Sequence, residues 1–269
     1  MEYDFPSYQD LFEQTKRRLN NLKELAMKKN GRVEDEDKFM FMIVGNINLR
    51  FNTICLLLNN GNYDGIFALQ RTLFELQLVF EAYMNSENKK HFLELYYKKS
   101  NFETAIKWQK LIEKSIEEKS NTFTKKDKEN IGEWKIKIEE DLKDTTKERT
   151  TKTWYELATG EKIIDLSYKY LSATDYFISY DEPSNWVHPQ RMEENVDVEF
   201  NQLINLNSMF FLINILKSDV KWIAEDIQKI KEYVKLDKSP RFQKYFIELL
   251  TFDNRLGEIG QQLIGEEDK

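Results

Sequence analysis

What most limits the fold of this chain is how little in it can end a helix. Nine glycines and four prolines stand in 269 residues, and stretches rich in Leu, Ile, Glu and Lys run for many turns without one. All-β folds need turn residues at short intervals. The expected class is therefore all-α, a multi-helix bundle with a central buried helix and a projecting charged helical hairpin. Length alone permits one domain or two. The apolar pattern is read as a single helical domain over 1–269, with its core at about 36–236, the hairpin at about 111–150 and a C-terminal helical extension at about 237–269.

The few breakers set the expected boundaries. A first helix starts after Pro6 with Ser7 as N-cap and Asp10 at the third helical position, and stops at Asn30-Gly31. A second runs from about 36 to 59 and ends at Asn59-Asn60-Gly61-Asn62. The third, about Tyr63–Met84, is apolar around nearly its whole circumference, which places it at the centre. An aromatic helix follows over about 87–110. Between 111 and 150, 21 of 40 residues are charged with nearly balanced sign, the composition of a solvated hairpin.

Prolines 183 and 189 are expected to hold Glu182 and His188 extended, making 181–191 a loop. A long helix follows over about 192–236, with a candidate break near Ser218. In it Val220, Ile223, Ile227, Ile230 and Val234 recur at a three-four spacing, a seam for the chain's own core or for a homodimer. One or two short helices over about 240–264 complete the chain.

A net charge of -7 argues against a general polyanion-binding surface. The single cysteine, Cys55, lies in the run Ile54-Cys55-Leu56-Leu57-Leu58 and is read as a small buried hydrophobe in a reducing compartment. The opening MEYDFPSYQD lacks a basic start and an apolar stretch, and Phe39–Leu58 is interrupted by Asn46, Asn48, Arg50 and Asn52. The expectation is a cytoplasmic protein with no membrane partner.

Gly-rich phosphate loops, dinucleotide fingerprints and nucleophile elbows are absent from the sequence. With two histidines and one cysteine, neither histidine three residues after a glutamate, no metal site and no cofactor are expected. One pair does ask for an explanation. Arg71 and Glu75 stand four apart on the central apolar helix, where a lone buried charge would cost several kcal/mol. They are expected to pair with each other and with groups from the later loop: His188 and Asn185, with Tyr180 and Arg191 behind them. Two readings stay open. In one the pair is a structural ion pair fixing helix register. In the other it lines a pocket where His188 titrates near neutral pH and Arg71 holds an anion such as a phosphate.

The stretch Ala68-Leu69-Gln70-Arg71-Thr72-Leu73-Phe74-Glu75, with Tyr180 and Ser184-Asn185-Trp186-Val187-His188-Pro189, resembles a widespread bacterial helical family catalogued as a domain of unknown function. Its members carry an Arg-x-x-x-Glu and a later Ser-x-x-x-His, here Arg71, Glu75, Ser184 and His188. Such proteins often look like relatives of the HEPN family of helical ribonucleases. The chain departs from the nuclease pattern, since no arginine stands four to six residues before His91 or His188. The resemblance implies a bacterial or phage conflict setting. Within it the first expectation is a regulatory module binding a protein partner, or a second copy, through the 220–234 stripe or the 111–150 hairpin. The alternative is a metal-independent ribonuclease or nucleotide-processing effector with Arg71, Glu75 and His188 catalytic, Tyr180, Asn185 and Arg191 binding, and RNA or a nucleotide at the Arg71/His188 pocket. A sensor using the same pocket without turnover is a third reading.

Overall fold

The structure, a computed structural model, describes residues 4–63, 65–120, 122–146, 153–186, 206–236 and 239–267. Among these residues there is no strand, and the all-α multi-helix class holds. The chain divides into two compact units, 1–81 with 167–269, and an inserted unit, 82–166. Helix α3 leads out of the first unit and α7 leads back.

Helices α1 (Gln9–Asn30) and α2 (Asp35–Asn59) open the first unit. Ser7 does not cap α1. Tyr8 holds the N-cap position, and the Ser7 hydroxyl accepts from the Gln9 amide at 3.4 Å. Gly31 ends α1 at φ 74°, the left-handed conformation that glycine adopts at least cost. An unforeseen capping box starts α2, with Glu34 accepting from the Asp37 backbone and Asp37 from the Glu34 backbone. Tyr8 donates to Asn48 at 2.9 Å, and Asn48 donates to the Phe12 carbonyl at 3.2 Å, tying α1 to α2. Helix α2 has the length and composition of a membrane span, yet half of its apolar window is buried in this unit. Cys55 lies there, and burial pushes its thiol well above the usual range.

Helix α3 covers Ile66–Met84. After the inserted unit come α7 (Ile163–Tyr170) and α8 (Ala173–Tyr176), a π-helical turn over Phe177–Asp181, and α9 (Glu182–Trp186). The described part of the expected loop is thus helical. Glu182 sits at φ -65°, ψ -46°, in the helical region despite preceding Pro183. The π-turn makes this workable. Its wider ring sends the Glu182 amide to the Phe177 carbonyl, so the bonding register changes where Pro183 has no N–H to give. The Ser184 hydroxyl caps the Tyr180 carbonyl. Residues 187–205, including His188 and Arg191, lie outside the described residues.

The unit closes with two long antiparallel helices, α10 (Leu206–Tyr233) and α11 (Pro240–Glu267). Neither the break near Ser218 nor the short helices after Pro240 occur. Gly257 and Gly260 do not interrupt α11. They lie against α10, where a Cβ would stand 3.5 Å from Lys217 Nζ and 3.6 Å from Ile213 Cγ2. Most of the stripe read as a candidate dimer seam is core: Val220, Ile223, Ile227 and Ile230 are all at most 3% exposed, and Val234 at its end is half-buried.

In the inserted unit α4 (Lys89–Glu117) and α5 (Lys125–Thr146) form the antiparallel charged hairpin, joined through α6 (Trp154–Thr159) to α7. The hairpin begins well before 111, because α4 runs unbroken from Lys89. It also has an apolar seam of its own, including Phe92, Leu95, Phe102, Ile112 and Leu142. Trp154 packs edge-on against Phe92 and Tyr96, at 6.3 and 5.5 Å between ring centroids.

Candidate functional site

The structure brings Arg71, Glu75 and Tyr180 together. Arg71 Nε lies 3.5 Å from Glu75 Oε1, its guanidinium sits over the Tyr180 ring at 5.0 Å, and its Nη2 approaches the Tyr180 hydroxyl at 3.5 Å. Beneath them Phe74, Tyr176 and Tyr180 pack with centroids 5.4–6.2 Å apart, and Phe74 reaches Trp222 at 6.1 Å. Asn185, one turn beyond Tyr180, donates to Glu182 at 3.2 Å.

The pair is not buried. Its side chains are 33% and 46% exposed, so the large desolvation cost expected for it is absent. The guanidinium is turned to an intramolecular carboxylate and an aromatic face, the arrangement of a surface clamp between α3 and the 173–186 segment. Glu75→Ala is accordingly expected to cost less than about 1 kcal/mol of stability, the usual ceiling for an exposed pair. A urea titration checks this, and a cost near the 3 kcal/mol of a broken buried pair would restore the buried reading.

The buried polar groups of α3 are other residues. Gln70 and Gln77, both 0% exposed, donate through Nε2 to Asp219 Oδ1 at 2.8 Å and Asp226 Oδ1 at 2.9 Å, aspartates likewise 0% exposed. The two bonds join residues 149 apart in sequence and repeat after seven, so α3 and α10 run parallel in fixed register. Gln77 also donates to Glu81 at 3.1 Å, and Lys229 bonds both Glu81 oxygens. Desolvation holds the Asp219 and Asp226 carboxyls well above the usual carboxylate range, with Asp175 adding to it at the first and Glu81 at the second. Two signals for this ladder stood in the sequence unread: the seven-residue spacing of Gln70 and Gln77, and the same spacing of Asp219 and Asp226 beside the apolar stripe.

Between α10, α11 and the 173–178 segment lies an open groove of about 890 Å³. Its walls are mainly apolar, with Ile178, Phe210, Phe246 and Leu250 among them. Phe210 and Leu250 are 43% and 59% exposed. Lys217 and Asp253, bonded to each other at 3.0 Å, and Lys221 supply its charged groups. No group of metal-ligating side chains occurs among the described residues.

A family model described as "Family of unknown function (DUF5677)" matches residues 37–203, more than half of the chain. The chain belongs to DUF5677. The matched segment takes in α2, α3, the inserted unit and the Arg71/Tyr180 clamp. The DUF5677 match ends before α10 and α11, so Asp219 and Asp226, the partners of Gln70 and Gln77, lie beyond it. Searches of curated proteins and of solved structures find no match.

Proposed function

We propose that the chain is a protein-binding module of regulatory type, docking an amphipathic helix of its partner in the groove between α10 and α11. The carrying observation is the groove itself, an open apolar channel whose walls include the exposed side chains of Phe210 and Leu250. From Phe210 to Ala224 it follows α10 for about 21 Å, room for a four-turn helix. Lys221, 69% exposed and loosely paired with Glu225 at 3.8 Å, favours an acid on the flank of that helix. The bacterial or phage conflict setting belongs to the proposal through the family resemblance alone.

The test uses a labelled synthetic four-turn helix with leucines on one face and glutamates on its flanks. Saturable binding followed by anisotropy is expected, weakened roughly tenfold or more by Leu250→Asp, which corresponds to about 1.4 kcal/mol. Binding that ignores Leu250→Asp would overturn the proposal, as would binding of a fatty acid in place of the peptide. In the catalytic alternative Arg71, held by Glu75 and Tyr180 and one-third exposed, would offer its remaining N–H donors to a phosphate. Under the binding reading, His188→Ala leaves host growth and cellular RNA as in wild type. Loss of an RNA-cleaving toxicity in that variant would transfer the site to Arg71, Glu75 and His188.

A further inference from the structure

The groove between α10 and α11 is apolar along most of its wall but carries an ion pair at the middle of its length. Lys217 stands seven residues after Phe210 and seven before Ala224, the first and last residues that α10 contributes. Its ammonium crosses to α11 beside Gly257, where it donates to Asp253 Oδ2 at 3.0 Å and to the Asp253 carbonyl at 3.3 Å. The two side chains are 36% and 28% exposed, so both face the open groove in part. An ammonium has three N–H donors, and each carboxylate oxygen accepts. Two of the three donors of Lys217 are used within the chain. The third is left over, and Asp253 Oδ1 receives no donor among the described residues.

Solvent can answer both groups while the groove is open. A helix seated there expels that solvent, and a polar group buried without a partner costs most when it is charged. An apolar residue laid over the pair would strand the spare donor and the spare acceptor together. A carboxylate would answer Lys217 and oppose Asp253, and an ammonium would do the reverse. A primary amide brings a carbonyl for the third N–H of Lys217 and an N–H for Asp253 Oδ1 in a single planar group. Lys221 makes no such demand, since at 69% exposed it keeps its hydration at the rim.

We propose that the Lys217–Asp253 pair is the specificity element of the groove and that the docked helix carries Asn or Gln at its centre, between apolar anchors. A single polar residue in an apolar helix seam fixes register and orientation in the same way. The inference rests on the groove reading of the preceding section and names the partner residue that the groove selects.

The test follows fluorescence anisotropy of the full chain with three labelled four-turn helices. They share leucines on one face and glutamates on the flanks, and differ only at the central residue of the leucine face, which is Gln, Met or Glu. Methionine is the apolar counterpart of glutamine in length and flexibility. The Gln-centred helix is expected to bind roughly tenfold tighter than either of the others. In Lys217→Met combined with Asp253→Leu the order should invert, with the Met-centred helix the tightest, and a melting profile shows that this double variant is folded. The ranking on wild type needs no variant and decides the matter by itself. Met-centred or Glu-centred binding as tight as Gln-centred binding overturns the inference, and leaves the groove reading standing if Leu250→Asp weakens all three. A preference for Gln that survives in the double variant overturns it as well. Failure of all three helices to bind wild type overturns the groove reading and this inference with it.

Discussion

Lys229→Met is expected to destabilise the protein by about 3 kcal/mol, the low end of the range for removing one partner of a buried ion pair. Glu81 is 4% exposed at its side chain and receives Lys229 on both carboxylate oxygens, whereas Lys229 is 35% exposed. The substitution keeps the aliphatic stem and removes the cation. The Glu81 carboxylate then stays inside beside Gln77 and close to Asp226, with much less to offset its lost hydration. At roughly 2–4 °C per kcal/mol for a chain of this size, the melting temperature should fall by about 10 °C. A fall under about 1 kcal/mol would mean that the pair behaves as a surface pair, like Arg71 and Glu75.

Asp219→Asn with Asp226→Asn should do the opposite and stabilise the protein at neutral pH, by about 1–3 kcal/mol for each site. In both pairs the glutamine Oε1 and the second aspartate oxygen have no hydrogen-bond partner among the described residues. A carboxylic acid proton, or the N–H of an asparagine, is the donor these acceptors call for. The native carboxyls hold that proton above the pH at which an unfolded aspartate, near pKa 3.9, releases it. Through that window the folded state binds more protons than the unfolded one, so wild-type stability falls as pH rises. The double variant carries no such proton. Its advantage should be smallest near pH 4 and grow toward neutral and alkaline pH, read from melting temperatures across that range. A double variant less stable than wild type at pH 8 would show that the aspartates are ionised and needed as anions.

The two predictions have opposite sign because the groups differ in where their charge can go. Glu81 has a cation that reaches solvent, while Asp219 and Asp226 face neutral amides in a fully buried seam. The glutamines and aspartates fix the register of α3 against α10. Each also carries an unanswered acceptor, a cost that apolar residues of similar shape would avoid.

Much of the fold was legible from local signals. The helical class, the stop at Gly31, the central place of α3 and the charged hairpin all follow from periodicity and from residues that cannot continue a helix, and these act over a few positions. Gln70 and Arg71 show where local reading ends. They are adjacent in sequence and about 100° apart around the helix axis. On an apolar helix either could have been the buried polar residue, and the charged one attracted attention. Packing of α10 decided it: Gln70 faces Asp219 inside, and Arg71 lies at the rim over Tyr180. The same holds for the 220–234 stripe, whose spacing specifies a helix partner without saying which. Burial belongs to whatever packs over a residue, and the partners here come from 149 positions away. The sequence by itself determined that this chain is helical and, to within a few residues, where α1, α2 and α3 begin and end. The tertiary structure alone decided which polar side chains are enclosed and which apolar face remains outside, because each depends on contacts between segments that no local pattern encodes.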